Sequence, residues 1–249
     1  MTAGPTSRGL PRLVCFHAAG GGSASFAALQ RALPDEVRLT SVTLPGRDSR
    51  AAEQRIVDVD ECVRLLSGEL CDVLAEPHVL LGHSMGAVVA YTLARQRLSE
   101  GLSVPEAMVV AACQPPHLGG TAEGIEQIDD AQLARELVRH GGIPAKVLSK
   151  PEWVRLLVSV IRDDLRIQSS FGAREVIPVP CRLHIFGGLG DQLVPPDVMT
   201  QWSRYSQEPQ TLQMFEGGHF LFRRPAATLV TAIVDVLHEH DSMKEVKAS

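Results

Sequence analysis

Val79-Leu80-Leu81-Gly82-His83-Ser84-Met85-Gly86-Ala87-Val88-Val89-Ala90 sets the frame for the whole chain. An apolar, β-rich run ends at a Gly-x-Ser-x-Gly pentapeptide, and a helical pattern continuing to Leu98 begins directly behind it. A serine held between a strand and a helix in this way reads as a nucleophile elbow. The two glycines suit a turn so sharp that strand and helix backbones nearly touch, with no room for a Cβ on either side of the serine. Ser84 would then present its hydroxyl at a helix N-terminus, where free N–H groups and the positive end of the dipole face any negative charge that develops.

Outward from this segment, β-rich runs alternate with helical patterns. Arg12–Phe16, Val37–Leu44, His78–Leu81, Ala107–Ala112, Arg182–Phe186 and Thr211–Phe215 read as strands. Val59–Leu74, Gly86–Leu98, Pro196–Tyr205 and Pro225–His240 read as helices, the last two opening on proline, where a missing N–H costs least. Such alternation predicts an α/β fold with a mostly parallel sheet covered by helices. Between Cys113 and Cys181 lie more than 60 residues with helical signals and no strand, so a helical insertion is expected at about residues 115–178 of a single domain spanning 11–249. Within it, Asp129 can cap a helix over Asp130–His140 that stops at Gly141-Gly142, and Ser149-x-x-Glu152 reads as a capping box opening a second helix. Trp153, Leu156, Leu157, Val160, Ile161 and Leu165 form an apolar stripe on that second helix. The stripe fits core packing, or the wall of an acyl channel overhanging the strand ends.

The bulk properties exclude several classes. The 249 residues are 45% hydrophobic with a mean hydropathy of +0.05, enough for a sizeable core, and no apolar run approaches the roughly 20 residues of a membrane span. Residues 1–10 read as a flexible leader without the apolar stretch of a signal peptide, so a cytoplasmic location is expected. Five cysteines with no C-x-x-C pair suit reduced thiols rather than a disulfide framework or zinc. A net charge of −5 without a basic run, and only 4% aromatic residues, argue against a nucleic-acid partner.

A serine nucleophile needs a base, and the base needs an acid to orient it. In hydrolases built around this elbow the chain order is serine, acid, histidine. Among the nine histidines, His219 sits in a loop between the last strand and the last helix. Its rivals fit less well: His83 adjoins the nucleophile but should point away, His184 lies within a strand, and His17 and His117 come too early. Asp191 ends the Gly187–Asp191 loop after a strand, upstream of His219, and is preferred to Asp197, which sits at a helix start, and to Asp163 and Asp164 in the insertion. The oxyanion donors expected are the N–H of Met85 and one from Phe16-His17-Ala18-Ala19-Gly20-Gly21-Gly22, with Ala18 the first choice and Ala19 close behind. A phosphate-binding loop is the rival reading of that glycine run, but it lacks both a P-loop Lys-Ser/Thr and a G-x-G-x-x-G spacing.

Taken in order, Phe16-His17-Ala18-Ala19-Gly20-Gly21, Leu44-Pro45-Gly46-Arg47, Gly82–Gly86, Gly190-Asp191 and Gly217-Gly218-His219-Phe220 resemble the type II thioesterases of polyketide and nonribosomal peptide synthesis. The resemblance spans roughly residues 11–240. Residues 137–144 and the helix through Arg162-Asp163-Asp164-Leu165 are similar to the family's helical lid. Two positions depart from the pattern: His17 stands where the family usually has proline, and Gln114-Pro115-Pro116-His117 replaces a more basic segment.

The resemblance implies an α/β-hydrolase fold and a monomer without metal or cofactor. It also implies hydrolysis of stalled acyl thioesters from the phosphopantetheine arm of an acyl or peptidyl carrier protein. A serine acyltransferase or esterase, and a hydrolase-fold binding protein without catalysis, are the alternatives. Because the chain is itself acidic, attraction to an acidic carrier would have to be local. Arg47, Arg50 and Arg55 are candidates for it, with solvated surface arginines as the plainer reading.

Overall fold

A computed structural model describes residues 10–119 and 128–247, with the side chains through 239. Six strands form one sheet, β1 (Arg12–Phe16), β2 (Leu39–Ser41), β3 (His78–His83), β4 (Ala107–Ala111), β5 (Arg182–Gly188) and β6 (Gln210–Phe215). Their order is β2-β1-β3-β4-β5-β6, and every pairing is parallel. β3 and β4 are buried along their whole length, as expected of central strands covered on both faces.

The helices are α1 (Ala27–Ala32), α2 (Val59–Glu69), α3 (Cys71–Ala75), α4 (Met85–Ser99), α5 (Asp130–Arg139), α6 (Pro151–Ser170), α7 (Pro196–Met199) and α8 (Ala227–Lys247). One apolar layer joins the sheet to α2, α4 and the Trp202–Tyr205 turn, and a second joins its other face to α1 and α8. A third, smaller cluster lies between α5 and α6. Four of the five free cysteines are buried and Cys71 is exposed. Burial pushes the thiols of Cys62, Cys113 and Cys181 up to about 12, which keeps them protonated and inert.

Several boundaries differ from the sequence reading for identifiable reasons. The second strand shrinks from Val37–Leu44 to Leu39–Ser41, because as an edge strand it has only β1 to pair with. The helix expected over Val59–Leu74 breaks at Leu70 (φ −102°, ψ 12°) into α2 and α3. The Pro196–Tyr205 helix is one short α-turn followed by 3₁₀ geometry over Thr200–Tyr205. Asp129 caps α5 through the Gln132 N–H, as expected, and Gly141 follows it with φ +77°.

The capping box at Ser149 does not form. Pro151, with its φ already helical and no N–H to satisfy, takes the first position of α6, and the Ser149 hydroxyl donates to the Lys146 carbonyl instead. The stripe on α6 is also displaced. Trp153 is 52% and Leu156 65% exposed, whereas Val154, Val158, Ile161, Asp164, Ile167 and Gln168 are buried. The helix is rotated so that Asp164, on the edge of the expected stripe, faces inward; its partner is described below.

Candidate active site

The elbow stands where β3 meets α4. Ser84 carries φ +54° and ψ −121°, a strained conformation held in place by its N–H donating to the Ala111 carbonyl at 2.9 Å and its own carbonyl accepting from Ala87 at 2.9 Å. A Cβ on Gly82 would collide with the Ala87 backbone, and one on Gly86 with the Phe16 carbonyl. Both glycines are therefore dictated by close backbone approach.

β5 pairs with β4 and β6 with β5, and the loops behind β5 and β6 carry Asp191 and His219. The His219 Nδ1–H donates to Asp191 Oδ2 at 2.9 Å. The other carboxylate oxygen, Oδ1, accepts the Leu193 N–H at 2.8 Å and the Val194 N–H at 3.3 Å. Burial alone would raise the Asp191 pKa. The His219 hydrogen bond and charge, with the two backbone donors, outweigh it, so the carboxyl sits below its ordinary value and stays ionised. With Nδ1 donating, His219 keeps its Nε2 lone pair free.

His83 does point away from the Ser84 side of the elbow, and its position has a use the sequence did not signal. It is fully buried, and its Nε2–H donates to the His219 carbonyl at 2.7 Å while its ring packs edge-on to Phe222 at 5.3 Å. Burial, followed by the nearby His219, pushes its pKa down to about 3, so it is the neutral imidazole that holds the His219 backbone. A base whose pKa falls on folding opposes folding in acid. Its unfolded form takes up a proton below about 6.5, so stability should be full above that pH and fall as the pH drops towards 3. Between pH 7 and 4.5 this one group should remove about 2–3 kcal/mol. Denaturant unfolding of wild type and His83→Gln, whose amide can still donate, should show a smaller acid loss in the variant by that amount.

Ser84 and His219 share a cavity of about 290 Å³ with Ala18 and Ala19. Its far walls are mostly apolar, formed by Leu133, Leu137, Ile161, Leu165, Leu193 and Val194, and Gln114, Glu136, His140 and Gln168 add polar groups. Ile161 and Leu165 of the expected stripe thus reach the cavity. Leu156, Leu157 and Val160 instead line an outer groove against α1.

The glycine loop after β1 is tightly held. The Ala18 carbonyl accepts the Gly21 N–H at 2.9 Å and the His17 Nδ1–H at 2.9 Å. The Gly20 N–H donates to Asp164 Oδ2 at 2.7 Å. Asp164, fully buried, is gripped by Arg47 through two bonds, Nη1 to Oδ2 at 2.7 Å and Nη2 to Oδ1 at 2.6 Å. Arg47 Nη1 also donates to the Gly21 carbonyl at 3.1 Å.

Arg47 is therefore not a surface arginine. Arg50 is bound to Glu53 and Glu69, and Arg55 pairs with Asp163 at 2.9 Å, so all three arginines proposed for carrier attraction are committed within the chain. Asp163 and Asp164 serve these pairs and lie outside the His219 hydrogen bond. Asp197 is exposed in α7, and no hydrogen bond joins it to His219. His184 bonds Thr211 within the sheet and His117 bonds Tyr205.

Comparison with known proteins agrees with this geometry. The thioesterase domain family matches residues 11–240. The gramicidin S biosynthesis protein GrsT of Aneurinibacillus migulanus is 28% identical over 209 residues, covering 84% of this chain and 82% of the relative. The type II thioesterase BorB from the borrelidin biosynthetic cluster is 32% identical, with a TM-score of 0.79 over 97% of this chain and 95% of that one. RedJ, a thioesterase of the prodiginine pathway in Streptomyces coelicolor, is 26% identical with a TM-score of 0.84, covering 94% and 95% of the two chains. The sheet order, the elbow and the two loops behind it are those of an α/β hydrolase, and the chain belongs to the thioesterase family, among its type II members.

Proposed function

We propose that this thioester hydrolase edits polyketide or nonribosomal peptide assembly by releasing stalled acyl groups from the phosphopantetheine arm of a carrier protein. The observation that carries the chemistry is the His219–Asp191 hydrogen bond at the edge of the cavity that Ser84 also lines. GrsT, BorB and RedJ are named for the gramicidin S, borrelidin and prodiginine biosynthetic pathways, and BorB is titled a type II thioesterase, which supports a substrate of such an assembly route.

In this reading Ser84 attacks the thioester carbonyl and His219 Nε2 takes its proton. The N–H of Met85, first residue of α4, and one N–H of the Ala18–Ala19 pair receive the oxyanion. His219 then protonates the departing thiol, and it activates a water that cleaves the acyl-serine. The helices α5 and α6 act as the lid of a single domain and supply the acyl pocket. No helix among the described residues is long and apolar enough to cross a membrane. Action on carriers in the cytoplasm, by a monomer, completes the proposal.

The cavity sets a size limit. At about 290 Å³ it has the volume of roughly ten waters, and a methylene takes up about as much space as one water. Acyl groups up to about eight to ten carbons should fit. Steady-state hydrolysis of a series of acyl-loaded carriers, from acetyl to palmitoyl, should show kcat/KM rising by up to about 4-fold per methylene (about 0.8 kcal/mol) and then falling beyond that length. No acyl release from any loaded carrier would overturn the function. A flat profile would overturn the cavity as its acyl pocket.

A further inference from the structure

We propose that Asp164, carried on α6 and gripped by Arg47, is a positioning residue for the oxyanion donor, and that this donor is the N–H of Ala19. The inference rests on the reading of Ser84 as nucleophile and adds a residue that touches none of the reacting atoms.

Three peptide planes decide the donor. In a trans peptide the carbonyl of one residue and the N–H of the next point in opposite directions. The His17 carbonyl lies over Gly86, 2.7 Å from where a Cβ on that glycine would stand, so the Ala18 N–H of the same peptide is turned away from the start of α4. The Ala18 carbonyl is folded into the loop, accepting from Gly21 and His17, so the Ala19 N–H is turned out of it. The third plane, Ala19–Gly20, is fixed because Asp164 takes the Gly20 N–H at 2.7 Å. Both peptides flanking Ala19 are thus immobilised, one from β1 through His17 and the other from the helical insertion through Asp164. Its N–H is left on the wall that Ala18, Ala19, Ser84 and His219 share.

Gly20 depends on the same contact. Its φ of +75° is one that a side chain rarely adopts, and a Cβ there would stand 2.5 Å from Ile161 Cγ1 on α6. The loop and α6 therefore fit only as a pair. Arg47 matters because a buried carboxylate needs a partner; the guanidinium fork supplies one through two hydrogen bonds and holds Asp164 in place. Oxyanion geometry and the seating of α6 become a single event. If α6 lifted, the Gly20 N–H would lose its acceptor and the Ala19 donor its orientation.

The test must separate positioning from folding. Removing Asp164 alone strands a buried arginine and risks the fold, so the informative variant is the double replacement Arg47→Met/Asp164→Leu, which fills the space without charge and gives Gly20 no acceptor. The rescue is made in the same uncharged background, Arg47→Met/Asp164→Asn, whose amide oxygen can still accept from Gly20 without stranding a buried guanidinium. On a small soluble acyl thioester, the folded double variant should lose about 10²-fold in kcat with KM within a few-fold of wild type, the loss typical of one misplaced oxyanion donor. Arg47→Met/Asp164→Asn should recover at least ten-fold of that. An alkylboronic acid forms a tetrahedral adduct on Ser84 and should weaken in parallel with kcat in the double variant. A non-reactive amide analogue of the thioester should keep its affinity.

A folded double variant that turns over and binds the boronate like wild type would overturn the proposal. So would a loss confined to KM, or one that Arg47→Met/Asp164→Asn does not relieve. A wild type that fails to turn over would instead sink the catalytic reading itself, so the two failures are distinguishable.

Discussion

Ser84→Ala should lower acyl release from a loaded carrier protein by about 10⁴-fold or more, while the thermal midpoint stays within about a degree of wild type. The chemical loss is large because no other hydroxyl occupies the elbow between β3 and α4, where φ +54° presents residue 84 to the cavity beside His219. The structural effect is small because the strain at residue 84 is backbone strain, held by bonds to Ala111 and Ala87 that an alanine keeps. Intact-mass measurement of the carrier before and after incubation reads the result directly. A variant that unfolds instead would show that the hydroxyl, and not the backbone, holds the turn.

Asp191→Asn should be nearly as damaging, at about 10⁴-fold in kcat, and for a reason legible in its hydrogen bonds. Oδ1 is committed to the Leu193 and Val194 N–H groups, so the asparagine carbonyl must take that side and its NH₂ must face His219 Nδ1. An amide N–H against Nδ1 forces the imidazole proton onto Nε2, the atom that has to accept the Ser84 proton. The variant should therefore fold and bind substrate with a KM close to wild type, yet fail in chemistry. Proton NMR of the imidazole should show the Nδ1–H resonance lost and an Nε2–H resonance in its place. Near-normal turnover would mean that Asp191 serves only the Leu193–Val194 turn and that another group orients the base.

The parts of this site that could be read in the sequence share a property: each is fixed by local backbone demand or by chain order. Gly82 and Gly86 are forced by close approach, and Asp191 and His219 follow strands of the sheet in the order serine, acid, histidine. What the sequence hid depends on tertiary partners. Asp164 lies 117 positions from Arg47, and a carboxylate in a helix of alternating charges looks like solvated surface until the helix is rotated to its true face. A signal was present, because Asp164 lies at i+3 from Ile161 and adjoins Leu165, and a carboxylate beside an apolar arc needs a cation.

The stripe on α6 divides on the same point: Ile161 and Leu165 reach the cavity, whereas Trp153 and Leu156 are exposed, because the apolar residues cover more than one arc. Ser149 has a capping box's spacing to Glu152, but Pro151 takes the first helical position and sets the start of α6. The edge strand β2 is shorter than its β-rich run, because composition does not reveal how many residues find a partner. The donor of the oxyanion loop could not be chosen between Ala18 and Ala19 by composition, since peptide orientation is a property of hydrogen bonds and not of residue type.

The central claim is that acyl groups pass through Ser84 on their way from carrier thiol to water. Rapid acid quench of wild type mixed with a stoichiometric acyl-loaded carrier, followed by digestion and mass spectrometry, tests it most directly. A transient acyl mass should appear on the peptide that contains Ser84 as the carrier loses it, and decay as free acid accumulates. Release of free acid at full rate with no acylated Ser84 peptide at any quench time, or an acyl mass on any other residue, would contradict it.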